Sequence, residues 1–154
     1  MLGRVMTKDN IVLAVLLETK DTIYENASNQ LTKHYILLAT CHIHWDPEFC
    51  DVKLIQTMMS VDQQKKLIKK QPPNIHSFQL LLCGHFNSLP NSGVIKYLQN
   101  RKISTNHKDF KSLPYQMIGH DLDQVEYNHG FDLKSAIDPR AMPFTNYVIE
   151  ECCA

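Results

Sequence analysis

The sequence predicts a layered α/β fold, on two observations. Residues 11–17 are continuously apolar and are predicted to form a strand buried on both faces, while the largely apolar residues 35–40 and 78–83 are predicted to form a second buried strand and a third strand. A long helical pattern separates the second run from the third, which is the arrangement that places helices over a sheet. Because a polar connection joins the first run to the second, a mixed sheet is as acceptable as a parallel one.

The long helix has a clear start and a clear end. Asp46 is a good N-cap, Pro47 suits the first helical position, and Glu48 lies near the positive end of the helix dipole. The helix is predicted to end in the basic residues 65–70, before a Pro-Pro pair. This basic run is interpreted as a solvated helix end, and contact with RNA is the alternative.

Helical spacing assigns an inner and an outer face to this helix. The predicted inward residues are Val52, Ile55 and Met59, and the predicted outward residues are Asp51, Lys53 and Gln56. A second, short helix is expected from Val94 to Leu98, with Val94, Tyr97 and Leu98 turned inward. Residues 115–131 contain few apolar side chains and are predicted to form a loop.

Composition bounds the class of protein. The chain has 154 residues with 44% hydrophobic and 21% charged residues, which suits one globular domain. Sixteen basic residues balance sixteen acidic ones, so net charge gives no general reason to expect nucleic-acid binding. The longest apolar run is too short for a membrane span, the amino end does not look like a signal peptide, and five cysteines form no CxxC pair. We therefore expect a reducing compartment, the cytoplasm, with the nucleus as a second location.

Two segments carry the candidate chemistry, and each follows a predicted strand. They are residues 41–47, which read CHIHWDP, and residues 83–90, which read CGHFNSLP. Active sites are common where strands deliver side chains into such connections. Taken alone, His42 is more readily a hydrogen-bonded structural histidine than a catalyst. His44 is predicted to share the strand face of His42, because side chains alternate with a period of two, and the two could join His85 in a zinc or nickel site.

The remaining residues of these two segments have less specific interpretations. Trp45 is interpreted as core or rim packing, with base stacking as the alternative. Cys83 is predicted to be a small buried core residue.

Residues 42–59, which read HIHWDPEFCDVKLIQTMM, closely resemble the deadenylase nuclease of the carbon-catabolite-repressor type, a member of the endonuclease/exonuclease/phosphatase superfamily. The likeness extends to residues 4–11, 86–90, 105–110 and 143–147. It implies an α/β fold that is a partial two-sheet, four-layer sandwich. It also implies magnesium-dependent removal of adenosines from the 3′ end of poly(A) RNA, as a subunit of a deadenylase complex.

The resemblance assigns roles to individual residues. His42 matches the family's active-site histidine and would contact the phosphate, Pro47 matches a residue of the substrate-base pocket, and Asn87 matches the asparagine of the metal loop. His85 stands where the family has an aspartate, and an imidazole is a poor ligand for Mg2+. The carboxylate that would hold the metal is therefore replaced.

Two functional hypotheses follow. The first is a poly(A)-specific exoribonuclease, and the second is a non-catalytic remnant or pseudoenzyme with at most weak RNA or partner binding. Residues 1–154 are expected to correspond to a nuclease domain without the family's amino-terminal and carboxy-terminal portions, including its Ser-Asp-His triplet, and without leucine-rich docking repeats. Such a segment is expected to expose an apolar sheet face.

Overall fold

The fold is mixed α/β, as the sequence predicts. A computed structural model describes residues 5, 7–20, 23–24, 31–32, 34–71, 78–110 and 126–137. The strands are β1 (Val12–Glu18), β2 (Ile23–Tyr24), β3 (Leu31–Thr32), β4 (Tyr35–His42), β5 (Phe78–His85), β6 (Lys102–Ser104) and β7 (Glu126–Asn128). The helices are α1 (Cys50–Lys69) and α2 (Gly93–Asn100), and the turns Pro47–Phe49 and Lys108–Phe110 are 3-10 helices.

The main sheet has three strands in the order β1-β4-β5. β1 runs antiparallel to β4, and β4 runs parallel to β5, so the sheet is mixed. The parallel pair is joined through α1, since a parallel connection needs a crossover. All three predicted strands are present, and β5 continues past Gly84, where the sequence suggested its end, to His85.

In the described part of the chain, one face of this sheet is covered and the other is open. On β4, Leu37, Ala39 and Cys41 are buried on the side of α1. The other face carries exposed aliphatic side chains, among them Leu13 at 66% and Leu81 at 50% exposure. The prediction that the first strand is buried on both faces is therefore wrong, and the expected exposed apolar sheet face is present. The sandwich of two large packed sheets stays a prediction.

The core lies on both sides of α1. Its buried apolar residues pack with α2, β6 and β7 on one side, and Leu82 of β5 packs against the same cluster. The fully buried members on α1 are Val52, Leu54, Met58 and Val61. Asp51, at 0% exposure, and Lys53 are buried too, so their predicted outward orientation is wrong. The first part of the helix, residues 50–62, lies between two layers and contains no exposed residue.

The basic end of α1 is solvated, as predicted. Lys66, Lys69 and Lys70 are exposed, and the Lys66 ammonium pairs with the Asp62 carboxylate one turn earlier at 2.7 Å. No helix in the described part of the chain has the length and apolar character that crossing a membrane requires.

The start of α2 is held by a buried carboxylate. The Gly93 N–H donates to Asp109 Oδ2 at 2.6 Å, and the Ser92 hydroxyl accepts from the Ile95 N–H. A Cβ on Gly93 would lie 2.9 Å from that carboxylate oxygen and 3.0 Å from the His107 ring, so only glycine fits. The predicted inward residues of this helix, Val94, Tyr97 and Leu98, are all buried.

β7 corrects one prediction, since Glu126–Asn128 pairs with β6 where a loop was expected. Residues 115–125 lie outside the described residues. After β7, His129 is buried at 1% exposure. Its Nδ1 accepts from the Phe131 N–H at 3.1 Å, so the protonated Nε2 donates to the Tyr97 carbonyl at 2.9 Å. The ring is neutral, because burial lowers the pKa of His129.

Asp109→Ala is expected to lower the free energy of unfolding by about 1–2 kcal/mol, because the first turn of α2 loses its acceptor and its negative charge. Urea unfolding of both proteins measures the difference. The matched control is Asp132→Ala, since Asp132 is an exposed carboxylate that pairs with Arg101. Its loss should cost less than about 1 kcal/mol. Equal losses in the two variants would contradict the capping role.

The neutral His129 predicts an acid-side loss of stability. Its pKa is lowered in the folded state, so the unfolded chain binds the proton more readily as pH falls below about 6.5. One such proton contributes at most about 1.4 kcal/mol per pH unit. In His129→Gln, the free energy of unfolding should depend less on pH between 6.5 and 4.5, while the slope above pH 7 stays unchanged. An identical acid-side slope in both proteins would refute this assignment.

Candidate functional site

The carboxyl ends of β4 and β5 meet at one edge of the sheet. Because the two strands run parallel in register, His42 is paired directly with His85. Their rings lie with centroids 5.3 Å apart and planes 15° from parallel, and both side chains are exposed. The structure therefore brings together two of the residues that the sequence singles out.

Asn87 lies in the connection that follows β5. Its backbone is left-handed, with φ 46°, a conformation that asparagine tolerates better than most residues. Its side-chain Nδ2 donates to the Ile43 carbonyl at 2.8 Å, and the Ile43 N–H donates to the His85 carbonyl at 2.9 Å. Asn87 thus joins the connections after the two strands.

Pro47 opens the 3-10 helix that precedes α1. Asp46 caps this turn, since its Oδ1 accepts from the Glu48 N–H at 2.9 Å. The predicted cap is confirmed, although it starts the short helix and not α1 itself. Pro47 is half-buried and lies on the same connection as His42.

A polar network fixes the connection after His42. Asn10 Nδ2 donates to the His42 carbonyl at 2.8 Å, and Gln56 Nε2 donates to Asn10 Oδ1 at 3.1 Å. Gln56 Oε1 then accepts from the His44 N–H at 3.0 Å. The predicted outward orientation of Gln56 is therefore wrong, and Asn10 was not singled out from the sequence. The signal for Gln56 was its position four residues after the inward-facing Val52.

His44 is separated from the other two histidines. Its side chain is buried and packs edge-to-face on Phe49, with centroids 5.2 Å apart, and burial lowers its pKa. Strand alternation does not reach it, because β4 ends at His42. The prediction that His44 shares a face with His42 is therefore wrong. The described residues contain no cluster of three or more histidine, cysteine, aspartate or glutamate side chains that could hold a metal.

Two other predictions about these segments need correction. Trp45 does not pack in the core, since it is 70% exposed, with its ring 6.2 Å from that of His44. Cys83 is exposed, because it lies on the uncovered face of β5. Its neighbour Cys41 is buried, which raises the thiol pKa to about 11 and makes it unreactive.

Cys50 departs from the expectation of reduced cysteines, because it is disulfide-bonded. Cys41 and Cys83 are free thiols. The terminal pair, Cys152 and Cys153, lies outside the described residues.

The donors at this edge of the sheet do not fit magnesium. The side chains here are two imidazoles and one amide, whereas Mg2+ requires oxygen ligands in near-octahedral geometry. Asp46 is a carboxylate on the same connection, but one of its oxygens accepts from the Glu48 N–H. Neither imidazole supplies an oxygen ligand for this ion.

Comparison with known proteins finds clear relatives, although no protein-family model matches the chain. It is 41% identical to the CCR4-NOT transcription complex subunit 6-like-B of Xenopus laevis and 41% identical to subunit 6-like of Danio rerio, each over 97% of this chain. It is 40% identical to the CCR4-Not complex 3′-5′-exoribonuclease subunit Ccr4 of Schizosaccharomyces pombe, over 96% of this chain. The chain spans 30%, 30% and 22% of these three relatives, respectively.

Gln56→Ala is expected to loosen the connection after β4, because Asn10 Oδ1 and the His44 N–H lose their partner. We expect a cost of about 1–3 kcal/mol and faster hydrogen exchange at the His44 amide, measured by NMR. The matched control is Gln63→Ala, an exposed glutamine on the same helix. Unchanged exchange at His44 in Gln56→Ala would show that the network does not hold this connection.

Proposed function

We propose that this chain derives from a magnesium-dependent, poly(A)-specific 3′-5′ exoribonuclease and is impaired in that reaction. The chain belongs to the CCR4-type deadenylase family and spans part of the length of its relatives. The relatives' names supply the exoribonuclease activity and the complex. The proposal of impairment rests on His85, an imidazole where the family resemblance implies a metal-binding aspartate.

His42, Pro47 and Asn87 would each have a chemical role in an exoribonuclease site of this kind. His42 is exposed at the strand end and would donate a hydrogen bond to a phosphate oxygen. Pro47 would pack against a base, and Asn87 would orient the phosphate or water. The amide Nδ2 of Asn87 is engaged with the Ile43 carbonyl, which leaves its Oδ1 for that role.

Magnesium would supply charge neutralisation at the phosphate and would activate water. Among the described residues, no cluster of carboxylates at this edge would hold it. His85 would instead present one neutral nitrogen or, when protonated, a positive charge. Neither form replaces an acidic oxygen. His42 would therefore still contact a phosphate, whereas this edge of the sheet would not hold the magnesium ion that activates water.

The alternative is a non-catalytic remnant that keeps weak RNA or partner binding. Exposed Trp45 and the exposed lysines at the end of α1 favour some affinity for RNA, because aromatic rings stack on bases and cations contact phosphates. As relatives are CCR4-NOT subunits, partners from that complex and a cytoplasmic and nuclear location are part of this proposal.

The test is shortening of a 5′-labelled oligoadenylate by the purified, folded chain with MgCl2. The Schizosaccharomyces pombe Ccr4 exoribonuclease subunit serves as positive control. We expect no shortening by this chain at enzyme concentrations in excess of RNA, because the metal-binding donors are inadequate. EDTA-sensitive release of AMP that disappears in His42→Ala would contradict the proposed impairment.

A second experiment separates the impaired enzyme from the remnant. His85→Asp restores the acidic oxygen at one position. Measurable, magnesium-dependent shortening by this variant, abolished in His85→Asp/His42→Ala, would identify an impaired enzyme with one defective ligand. Absence of shortening, together with retained oligoadenylate binding, would identify a non-catalytic RNA-binding remnant.

A further inference from the structure

We propose that His42 and His85 form a two-imidazole site for a divalent transition metal of the zinc, nickel or copper class. This site does not depend on nuclease activity. The argument rests on the pairing of the two strands, on the exposure of the two rings and on the ligand preferences of these ions.

The geometry places two nitrogen ligands side by side. The histidines are direct partners across the parallel β4–β5 pair, and their ring centroids are 5.3 Å apart. Two imidazole nitrogens bound to one tetrahedral ion, each at about 2.0–2.1 Å, lie roughly 3.3 Å from each other. Because both rings are exposed, rotation of the side chains can bring the nitrogens to that separation.

The backbone beneath the rings is held in place. Gly84 lies directly before His85 with φ 129°, and a Cβ there would be 2.1 Å from the Cys41 carbonyl oxygen. This close approach of β5 to β4 is possible only for glycine. The Ile43 N–H donates to the His85 carbonyl, and Asn10 holds the His42 carbonyl. The ligand backbones are thus fixed before any ion binds, which reduces the entropy cost of binding.

The ligand atoms are available. Among the described residues, no hydrogen bond or ion pair engages a ring nitrogen of His42 or His85. Both rings stand at the open end of the uncovered sheet face, where water can complete the coordination. In contrast, buried His129 uses both ring nitrogens in hydrogen bonds to the backbone.

The identity of the ion follows from the donors. Neutral imidazole suits zinc, nickel and copper, whereas magnesium selects oxygen. The substitution that makes this edge unsuitable for magnesium therefore makes it suitable for a different class of metal. Two protein ligands leave positions for water or for an oxygen of a bound molecule.

Calorimetric titration of the folded chain with ZnCl2, NiCl2 and MgCl2 tests the proposal. We expect binding of one zinc or nickel ion and no measurable magnesium binding. His42→Ala and His85→Ala should each weaken zinc binding by at least about tenfold. The double variant should bind zinc only slightly more weakly than either single variant, because each single substitution already removes the site. His34→Ala is the matched control, because it removes an imidazole just before the opposite end of β4.

The contrary results are specific. Zinc affinity that is unchanged in both single variants, or that falls equally in His34→Ala, would overturn the site. Magnesium binding as tight as zinc binding would overturn the assigned class of ion. Circular dichroism verifies that each variant is folded; this is expected for the exposed His42 and His85, whereas the control residue His34 is half-buried.

An independent measurement uses the unaltered protein. Electron paramagnetic resonance of the chain with one equivalent of Cu2+ should show coupling to two imidazole nitrogens, and His85→Gln should reduce this to one. A spectrum without imidazole coupling, or one that His85→Gln leaves unchanged, would refute the pair as ligands. Neither experiment involves RNA, so its failure would leave the proposed nuclease ancestry unaffected.

Discussion

The parallel pairing of β4 with β5 is the constraint on which the candidate site depends. Parallel strands end at the same edge, so one register decides that His42 faces His85 and that Ile43 and Asn87 meet in the connections beyond. A shift of one residue would move one histidine to the opposite face of the sheet. Gly84 stabilises this register, because the Cys41 backbone lies so close to it that no other residue fits at that position.

The burial of α1 between two layers supports that pairing. The helix is the crossover between β4 and β5, and it packs against the sheet on one side and against α2 and the β6–β7 pair on the other. Gln56 projects from it to hold Asn10 and the connection after β4. The same helix therefore connects the paired strands, contributes much of the core and positions the site.

The uncovered sheet face and the histidine pair lie on the same side of the main sheet. Residues at alternate positions of β4 and β5 share this face, so exposed Leu81 and Cys83 lead directly to His85. The proposed ligands therefore stand at the open end of a face that also carries exposed aliphatic side chains.

The sequence by itself determined the three main strands, both helices, the cap at Asp46 and the two segments that carry His42 and His85. Apolar runs and capping residues are local signals, and they suffice for these features. Only the tertiary structure decided which faces are covered, because burial depends on neighbouring layers. It buried Asp51, exposed Trp45 and separated His44 from His42 where β4 ends. The strand register also depends on contacts between distant residues, which no local pattern records.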